Sequence, residues 1–246
     1  MHKPSLTRVE MDGLQLIVDP DAGSIGLVVA FTDRLGGVSP APYESLNLGR
    51  ATGDDLDNVD SNRARVAGAL GIDSGAIHFV KQVHGTTVVA RQGAPEKTLE
   101  EADGILLTDG GAAAVLSADC VPIVVSGREG VVALHAGWRG VAAGAIAVAV
   151  PKVGPDAVAW VGPSIHACCY EVGPEVVEAF ERAGLPVADP NHVDPGRAAV
   201  AALHQSGVER VASWHECTSC EERFFSHRRD GITGRQAGIV ATIQRV

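Results

Sequence analysis

Short apolar runs separated by clusters of glycine, proline and aspartate recur along the whole chain. Runs of this kind, rich in β-branched residues and bounded by turn residues, are typical of buried strands. The segment 78–91 alternates apolar and polar residues and predicts a strand or hairpin broken at His84-Gly85. The continuous runs predict strands at 25–31, 105–107, 113–116, 121–125, 131–134, 157–161, 208–214 and 238–243.

Helical spacing of apolar residues predicts four helices, at 57–70, 141–150, 174–183 and 195–205. Gly71 and Pro151 follow the first two as stop signals, and Asp194 precedes the last as its N-cap. Because strands and helices are interleaved without the regular repeat of a doubly wound fold, we expect a mixed α/β (α+β) sandwich, with mixed sheets flanked by helices. The best internal break, 151–155, is followed at once by a predicted core strand. We therefore expect a single domain over residues 1–246.

The composition argues against several classes of function. A formal charge of −10 disfavours a general nucleic-acid binder, because neutralising phosphates needs a basic face. We expect no signal peptide, and the apolar run 141–150 is too short to span a membrane. Five cysteines cannot all pair, and a chain of 246 residues does not need disulfides, so we expect a reducing cytoplasm. No obligate protein partner is evident from the sequence.

Three residues in short motifs are candidate ligands of one metal ion: His84 in Lys-Gln-Val-His-Gly, Cys120 in Ser-Ala-Asp-Cys-Val-Pro, and His135 in His-Ala-Gly-Trp-Arg-Gly. A single histidine or cysteine is more often a core or surface residue. Together, two imidazoles and one thiolate suit Zn²⁺, whose catalytic sites commonly have three protein ligands and an open position. We therefore predict a catalytic zinc site at these three residues, with copper as an alternative occupant.

Polar side chains near these motifs are candidate substrate contacts. In a strand, Gln82 would face the same side as His84, where it would bond substrate or orient a ligand. Arg139 adjoins a predicted helix, where a guanidinium and free backbone N–H groups favour an anion. A structural ion pair is an equal alternative for Arg139. Arg228 belongs to a basic cluster, 223–229, which is a further candidate for an anion pocket.

The segment Cys217-Thr-Ser-Cys220 has the spacing of redox motifs and of half a zinc knuckle. A knuckle needs a second pair with similar spacing. Cys168 and Cys169 are adjacent instead, so the sequence disfavours a second zinc site and leaves the role of Cys217 and Cys220 open.

The motifs resemble those of the YfiH-like family, long labelled multicopper polyphenol oxidase or laccase-domain proteins and now described as purine nucleoside phosphorylases. The matching segments, in the family's order, are 34–39, 45–49, 81–85, 102–104, 117–123, 135–140, 162–165, 168–172, 223–229 and 233–237. The resemblance implies a YfiH-like fold and zinc-dependent phosphorolysis of adenosine, inosine and methylthioadenosine, with adenosine deamination as a side activity. It also implies that Arg34 and Asn47 line the cleft, where Asn47 would bond a ribose hydroxyl.

The leading hypothesis is therefore an enzyme whose partners are a small-molecule nucleoside and phosphate. His84, Cys120 and His135 would act through the metal. Asp119 and Glu171 are candidates for proton transfer, each with an ordinary turn or surface acid as the alternative.

Three other functions stay open. Cys120 as nucleophile with His135 as base would make a hydrolase, and some family members are described as editing a cell-wall precursor. A copper polyphenol oxidase is the older family description, but a true multicopper oxidase needs many histidine ligands with His-x-His pairs. This chain has nine histidines and no such pair. The last alternative is a non-catalytic protein with a relict metal site.

Overall fold

The computed structural model describes residues 2–95 and 98–243. The strands are β1 (Thr7–Met11), β2 (Leu14–Val18), β3 (Leu27–Thr32), β4 (Ile77–His78), β5 (Val88–Arg91), β6 (Gly104–Leu107), β7 (Ala112–Ser117), β8 (Val121–Ser126), β9 (Val131–Ala136), β10 (Val158–Val161), β11 (Val187–Asp189), β12 (His192–Val193), β13 (Arg210–Ser213) and β14 (Gln236–Thr242). The helices are α1 (Leu56–Ala69), α2 (Trp138–Ala142), α3 (Ala145–Ala149), α4 (Pro174–Arg182), α5 (Pro195–Gln205) and α6 (His227–Asp230).

Twelve of these strands form two mixed sheets of six strands each. The first sheet has the order β1-β2-β3-β14-β7-β4, and the second has the order β13-β10-β8-β9-β6-β5. Their facing sides enclose an apolar core that includes Phe31 from the first sheet and Trp160 from the second, both fully buried. The last described strand, β14, lies between β3 and β7, so distant parts of the chain share one sheet.

Helices cover the outer faces of both sheets. Alternate residues of β8 and β9 point away from the inter-sheet core and pack against α2, α3, α4 and α5. On the first sheet, α1 and the buried leucines Leu46 and Leu48 cover the outer face. Because these strands are buried on both faces, they read as continuous apolar runs and not as an alternation of apolar and polar residues. The predicted mixed α/β sandwich flanked by helices is confirmed.

Most predicted elements are present. The helices at 174–183 and 195–205 are confirmed, and the side chain of Asp194 caps α5 by accepting a hydrogen bond from the backbone N–H of Arg197 at 2.8 Å. The single helix predicted at 141–150 is wrong. Gly144 has a φ of 86° and splits the segment into α2 and α3, because a left-handed residue ends one helical turn before the next begins. The single-domain assignment over residues 1–246 stays a prediction.

Two connections cross from the first sheet to the second. One joins β4 to β5 and contains His84, and the other joins β7 to β8 and contains Cys120. His135 lies near the end of β9, where Pro122 of β8 is its register partner. The topology therefore brings the two crossing segments and the end of β9 to one edge of the sandwich. In the part of the chain that the structure describes, no helix combines the length and the apolar composition needed to cross a bilayer.

Candidate metal centre and adjoining cavity

One nitrogen each from His84 and His135 and the Sγ atom of Cys120 lie within 4.8 Å of one another. The two imidazole rings meet edge to face, with centroids 4.9 Å apart. We refer to these three residues as the three-donor cluster. Their burial decreases from His135, which is buried, through Cys120, which is half-buried, to His84, which is exposed. The cluster is therefore open on the side of His84.

The backbone around His84 is held by a buried carboxylate. His84 has a φ of 59°, a strained conformation for a residue with a Cβ atom. Asp103 accepts hydrogen bonds from the backbone N–H groups of His84 at 2.9 Å and Gly85 at 2.6 Å, and a longer one from Val83 at 3.3 Å. Three convergent N–H groups around one carboxylate stabilise the turn that aims the His84 ring at Cys120.

The same carboxylate orients His135. Nδ1 of His135 donates to Asp103 at 2.8 Å, because an ionised carboxylate can only accept. This fixes the tautomer and leaves Nε2 of His135 available as a metal ligand. A ligand histidine that donates its other N–H to a carboxylate is the usual arrangement around zinc. Asp103 therefore positions two of the three donors.

The pKa values in this cluster are displaced in opposite directions. Burial acts to raise the pKa of Cys120, but hydrogen bonds with His135 and His84 outweigh it and lower the pKa to about 6. Burial acts to lower the pKa of His135, but hydrogen bonds with Asp103 and Cys120 raise it to about 9. Both displacements favour the charged forms, a thiolate at Cys120 and a protonated ring at His135. The thiolate is the form of cysteine that binds metal ions.

The close approach of the donors requires glycine at position 137. A Cβ atom added to Gly137 would lie 2.8 Å from Cδ2 of His84 and 3.2 Å from Sγ of Cys120. The turn after β9 therefore passes directly against two of the donors. Glycine is therefore needed at position 137 because there is no room for a side chain, and not because of its backbone flexibility.

A cavity of about 770 Å³ adjoins the three-donor cluster, and all three donors line it. Ile77, Phe79 and Leu116 give it an apolar wall. Arg63 and Arg235 are among its cationic lining residues. A concave, mostly apolar cavity of this size with a few charged groups is typical of a small-molecule site.

Residues 28–243 match a family described as multi-copper polyphenol oxidoreductase laccase. The chain belongs to this family. It is 37% identical over 228 residues to the purine nucleoside phosphorylase YfiH of Escherichia coli, covering 87% of this chain and 93% of that protein. It is 40% identical over 232 residues to a purine nucleoside phosphorylase of Streptomyces coelicolor, covering 87% of this chain and 95% of that protein.

Solved structures agree with this assignment to the laccase-like family. YlmD from Geobacillus stearothermophilus superposes with a TM-score of 0.85 at 30% identity, covering 99% of this chain and 100% of that chain. A Bacillus licheniformis protein described as hypothetical protein YfiH also has a TM-score of 0.85, at 27% identity, covering 94% of this chain and 97% of that chain. The resemblance to the YfiH-like family is therefore confirmed, together with the fold that it implies.

Two of the predicted substrate residues form hydrogen bonds with other residues of the chain. Gln82 lines the cavity, but its amide exchanges two hydrogen bonds with the backbone of Leu116, at 2.7 and 2.8 Å, and so fastens the His84 loop to β7. The side chain of Asn47 is buried, donates to Thr52 Oγ1 and Asp54 at 2.9 Å each, and accepts from Arg235 N–H at 2.9 Å. The predicted contact of Asn47 with a ribose hydroxyl stays a prediction.

The predicted arginines do not line the cavity. Arg34 donates to the carbonyl of Glu44 and stacks over Phe225, with the guanidinium 5.0 Å from the ring centroid. Arg139 lies inside α2 rather than before a helix, is exposed, and stacks 4.4 Å from the centroid of Trp138.

Arg228 contacts Asp119, the residue that precedes Cys120. Its side chain donates to the carbonyl of Glu171 at 2.8 Å, and its backbone N–H donates to Asp119 at 2.7 Å. Asp119 is buried, has a φ of 91°, and also accepts from Oγ1 of Thr218 at 2.7 Å. Its carboxylate thus fixes the turn that ends at Cys120. A proton-transfer role for Asp119 or Glu171 stays a prediction.

Two further residues lie at the site although they are not among the predicted donors or substrate contacts. Asp103 contacts the donor His135 from behind, and the motif Ala102-Asp-Gly104 was the signal in the sequence that could have indicated it. Arg235 lines the cavity within the motif Thr233-Gly-Arg-Gln-Ala237. Its guanidinium donates to the carbonyls of Thr233 and Gly234, and within residues 2–95 and 98–243 it pairs with no carboxylate.

Proposed function

We propose that this protein is a zinc-dependent purine nucleoside phosphorylase. The observation that carries the proposal is the three-donor cluster in the wall of a cavity of about 770 Å³, large enough for a nucleoside and phosphate. The relatives in Escherichia coli and Streptomyces coelicolor are named purine nucleoside phosphorylases and support the same reaction class. Phosphorolysis joins a phosphate oxygen to C1′ of the pentose and releases the base.

The donor set fits zinc. Two imidazole nitrogens and one thiolate would hold the ion, and Asp103 would orient the ligand His135. When bound, such an ion supplies a Lewis acid that polarises a substrate atom or lowers the pKa of water. Copper is the alternative occupant of the same donors, in line with the name of the family.

The chain's own residues provide for the rest of the substrate. The apolar side chains of Ile77, Phe79 and Leu116 offer a surface on which a purine can stack. Arg235 offers the anion contact, because it lines the cavity and forms no direct ion pair with a carboxylate among the described residues. Burial lowers the pKa of Arg235 while the charges of Cys120 and Asp119 oppose that shift, which is consistent with a cation beside the cluster.

The substrates we propose are adenosine, inosine and methylthioadenosine, with adenosine deamination as a side activity. Phosphorolysis consumes phosphate and deamination does not, so one assay with and without phosphate separates the two reactions. Metal-loaded protein should convert each nucleoside to free base and pentose 1-phosphate in a phosphate-dependent manner, and adenosine to some inosine without phosphate. Folded, metal-loaded protein that released no base from any of the three nucleosides would overturn the proposal.

A second candidate function is favoured by one specific arrangement. Cys120, His135 and Asp103 form a hydrogen-bonded series of thiol, imidazole and carboxylate, as in cysteine hydrolases. A hydrolase of this kind, such as an editor of a cell-wall precursor, would work without metal. Alkylation of Cys120 separates the two functions: a metal ligand reacts slowly until a chelator is added, whereas a free nucleophile reacts at the same rate in both conditions.

A further inference from the structure

We propose that Cys168, Cys169, Cys217 and Cys220 form a second metal site, a structural zinc site separate from the cavity. The Sγ atoms of these four residues all lie within 4.8 Å of one another. We refer to them as the cysteine cluster. None of the four lines the cavity beside the three-donor cluster. The sequence spacing argued against such a site, because it could not reveal that the adjacent pair and the C-x-x-C pair meet in space.

The distances suit a tetrahedral thiolate site. A zinc ion with Zn–S bonds of about 2.3 Å has sulfur atoms about 3.8 Å apart. The Sγ atom of Cys220 lies 3.4 Å from that of Cys168 and 3.3 Å from that of Cys169. All four thiols are free, with no disulfide among them. These two separations are about 0.4–0.5 Å shorter than the spacing around zinc, so the thiols need only a small outward shift to hold the ion.

The backbone prepares the site on both segments. The N–H group of His166 donates to Sγ of Cys217 at 3.3 Å, which is the kind of contact that stabilises a thiolate ligand. The N–H of Thr218 donates to the carbonyl of Ser164 at 3.0 Å, so the two segments are paired next to the cluster. The guanidinium of Arg229 donates to the carbonyls of Thr218 and Ser219, at 3.0 and 3.3 Å, and holds the C-x-x-C loop.

Three of the four thiols lie on residues at or near the surface. Cys168 and Cys220 are exposed, Cys169 is half-buried, and only Cys217 is buried. A metal ion that joins two loop segments at the surface stabilises them, because it binds the folded arrangement more tightly than the unfolded chain. A closed set of four protein thiolates has no open position for substrate, which is the property of a structural zinc site.

The cysteine cluster also connects to the three-donor cluster. Cys169 precedes Tyr170, whose ring lies 4.8 Å from the guanidinium of Arg228. On the other segment, Thr218 follows Cys217 and bonds Asp119, the residue before Cys120. Zinc at the cysteine cluster would therefore hold both segments that fix the turn before Cys120.

Metal analysis of matched variants tests the proposal. Protein prepared with thiols reduced and zinc present should bind about two zinc ions per chain, and Cys120→Ser should retain about one, held by the cysteine cluster. Adding Cys220→Ser to that variant should remove the remaining zinc. Glu222→Gln, an exposed change two residues away, is the control and should retain it. Zinc X-ray absorption of Cys120→Ser should show sulfur ligands alone, at about 2.3 Å.

The double variant could lose zinc by unfolding, so a second readout is needed. Chelation of Cys120→Ser should lower its melting temperature, and zinc should restore it, whereas Cys120→Ser with Cys220→Ser should show neither response. Reduced Cys120→Ser that binds no zinc, or that keeps its zinc after Cys220→Ser, would overturn the proposal. A disulfide within the cluster in protein freshly isolated under non-reducing conditions would also overturn it and would indicate a redox pair instead.

Discussion

The three-donor cluster and the cysteine cluster both contain thiols that can bind a metal ion, but they differ in their surroundings. The first has three donors of mixed type, lies in the wall of a large cavity, and has a buried carboxylate, Asp103, behind two of its donors. The second has four thiols, two of them on exposed residues, and lies outside that cavity. Catalytic zinc sites keep one position open for substrate, whereas structural sites are closed by four protein ligands. This contrast underlies the two roles that we propose, catalysis at the first cluster and cross-linking at the second.

The largest expected difference between the two clusters comes from replacing one cysteine of each by serine. Cys120→Ser should reduce phosphorolysis by at least about a thousandfold, because a catalytic metal contributes several kcal/mol to transition-state stabilisation. Cys220→Ser should reduce the rate by no more than about tenfold and should mainly lower the melting temperature. Rates and melting curves of the two variants, measured side by side, check this. Equal loss of activity in both would contradict the division of roles.

Removing the carboxylate behind the donors tests whether Asp103 positions them. Asp103→Asn should weaken metal binding by about 10- to 100-fold, since groups that orient ligand histidines usually contribute that much. Competition with a coloured chelator measures the affinity directly. Glu101→Gln is the control, because Glu101 is exposed and its ion-pair partner among the described residues is the exposed Lys81. An Asp103→Asn protein with unchanged affinity would show that the turn at His84 is held by other contacts.

The anion contact is a smaller effect and separates two sets of arginines. Arg235→Gln should raise the apparent KM for phosphate by about ten- to a hundredfold, because a charge-assisted contact contributes roughly 1.5–3 kcal/mol. Adenosine deamination, which needs no phosphate, should change much less. Arg228→Gln is the comparison, since Arg228 lies outside the cavity lining. If Arg228→Gln instead raised this KM and Arg235→Gln did not, the basic cluster at 223–229 would hold the phosphate.

The smallest predicted effect concerns a single methyl group. Gly137→Ala should destabilise the fold by about 1–3 kcal/mol and reduce metal occupancy, because its Cβ would overlap His84 and crowd Cys120. Gly68→Ala in α1 is the matched change, since nothing lies within 4 Å of its added Cβ, and it should stabilise the protein by about 0.5–1 kcal/mol. Denaturant unfolding of both variants checks the opposite signs.

The parts of the structure that the sequence predicted are those with local signals. The start of α5 followed from Asp194, because an N-cap acts on the backbone N–H groups of the residues next to it. The three donors followed from their chemistry and motifs, and the structure brings them together. The apolar spacing of 141–150 does not indicate the split between α2 and α3, because it carries no sign of the φ of 86° that Gly144 adopts.

Long-range contacts could not be predicted from one sequence. Asp103 contacts His135 across 32 residues, and Thr218 contacts Asp119 across 99 residues, with nothing in the local pattern to indicate either pair. Cys168 and Cys220 approach each other across 52 residues, which an argument from sequence spacing does not detect. Such contacts are set by the packing of the two sheets and their crossing segments, which sequence periodicity does not encode.

The most direct test of the account is to remove metal and return it while phosphorolysis is measured. Wild-type protein and the Cys120→Ser variant are treated with a chelator, dialysed, and supplied with zinc, and the release of base from inosine in phosphate is followed at each stage. The account predicts that the wild-type rate falls to background and returns with zinc, while Cys120→Ser stays at background throughout. A wild-type rate that persisted after elemental analysis showed the metal to be gone would contradict the account and support a metal-free role for Cys120.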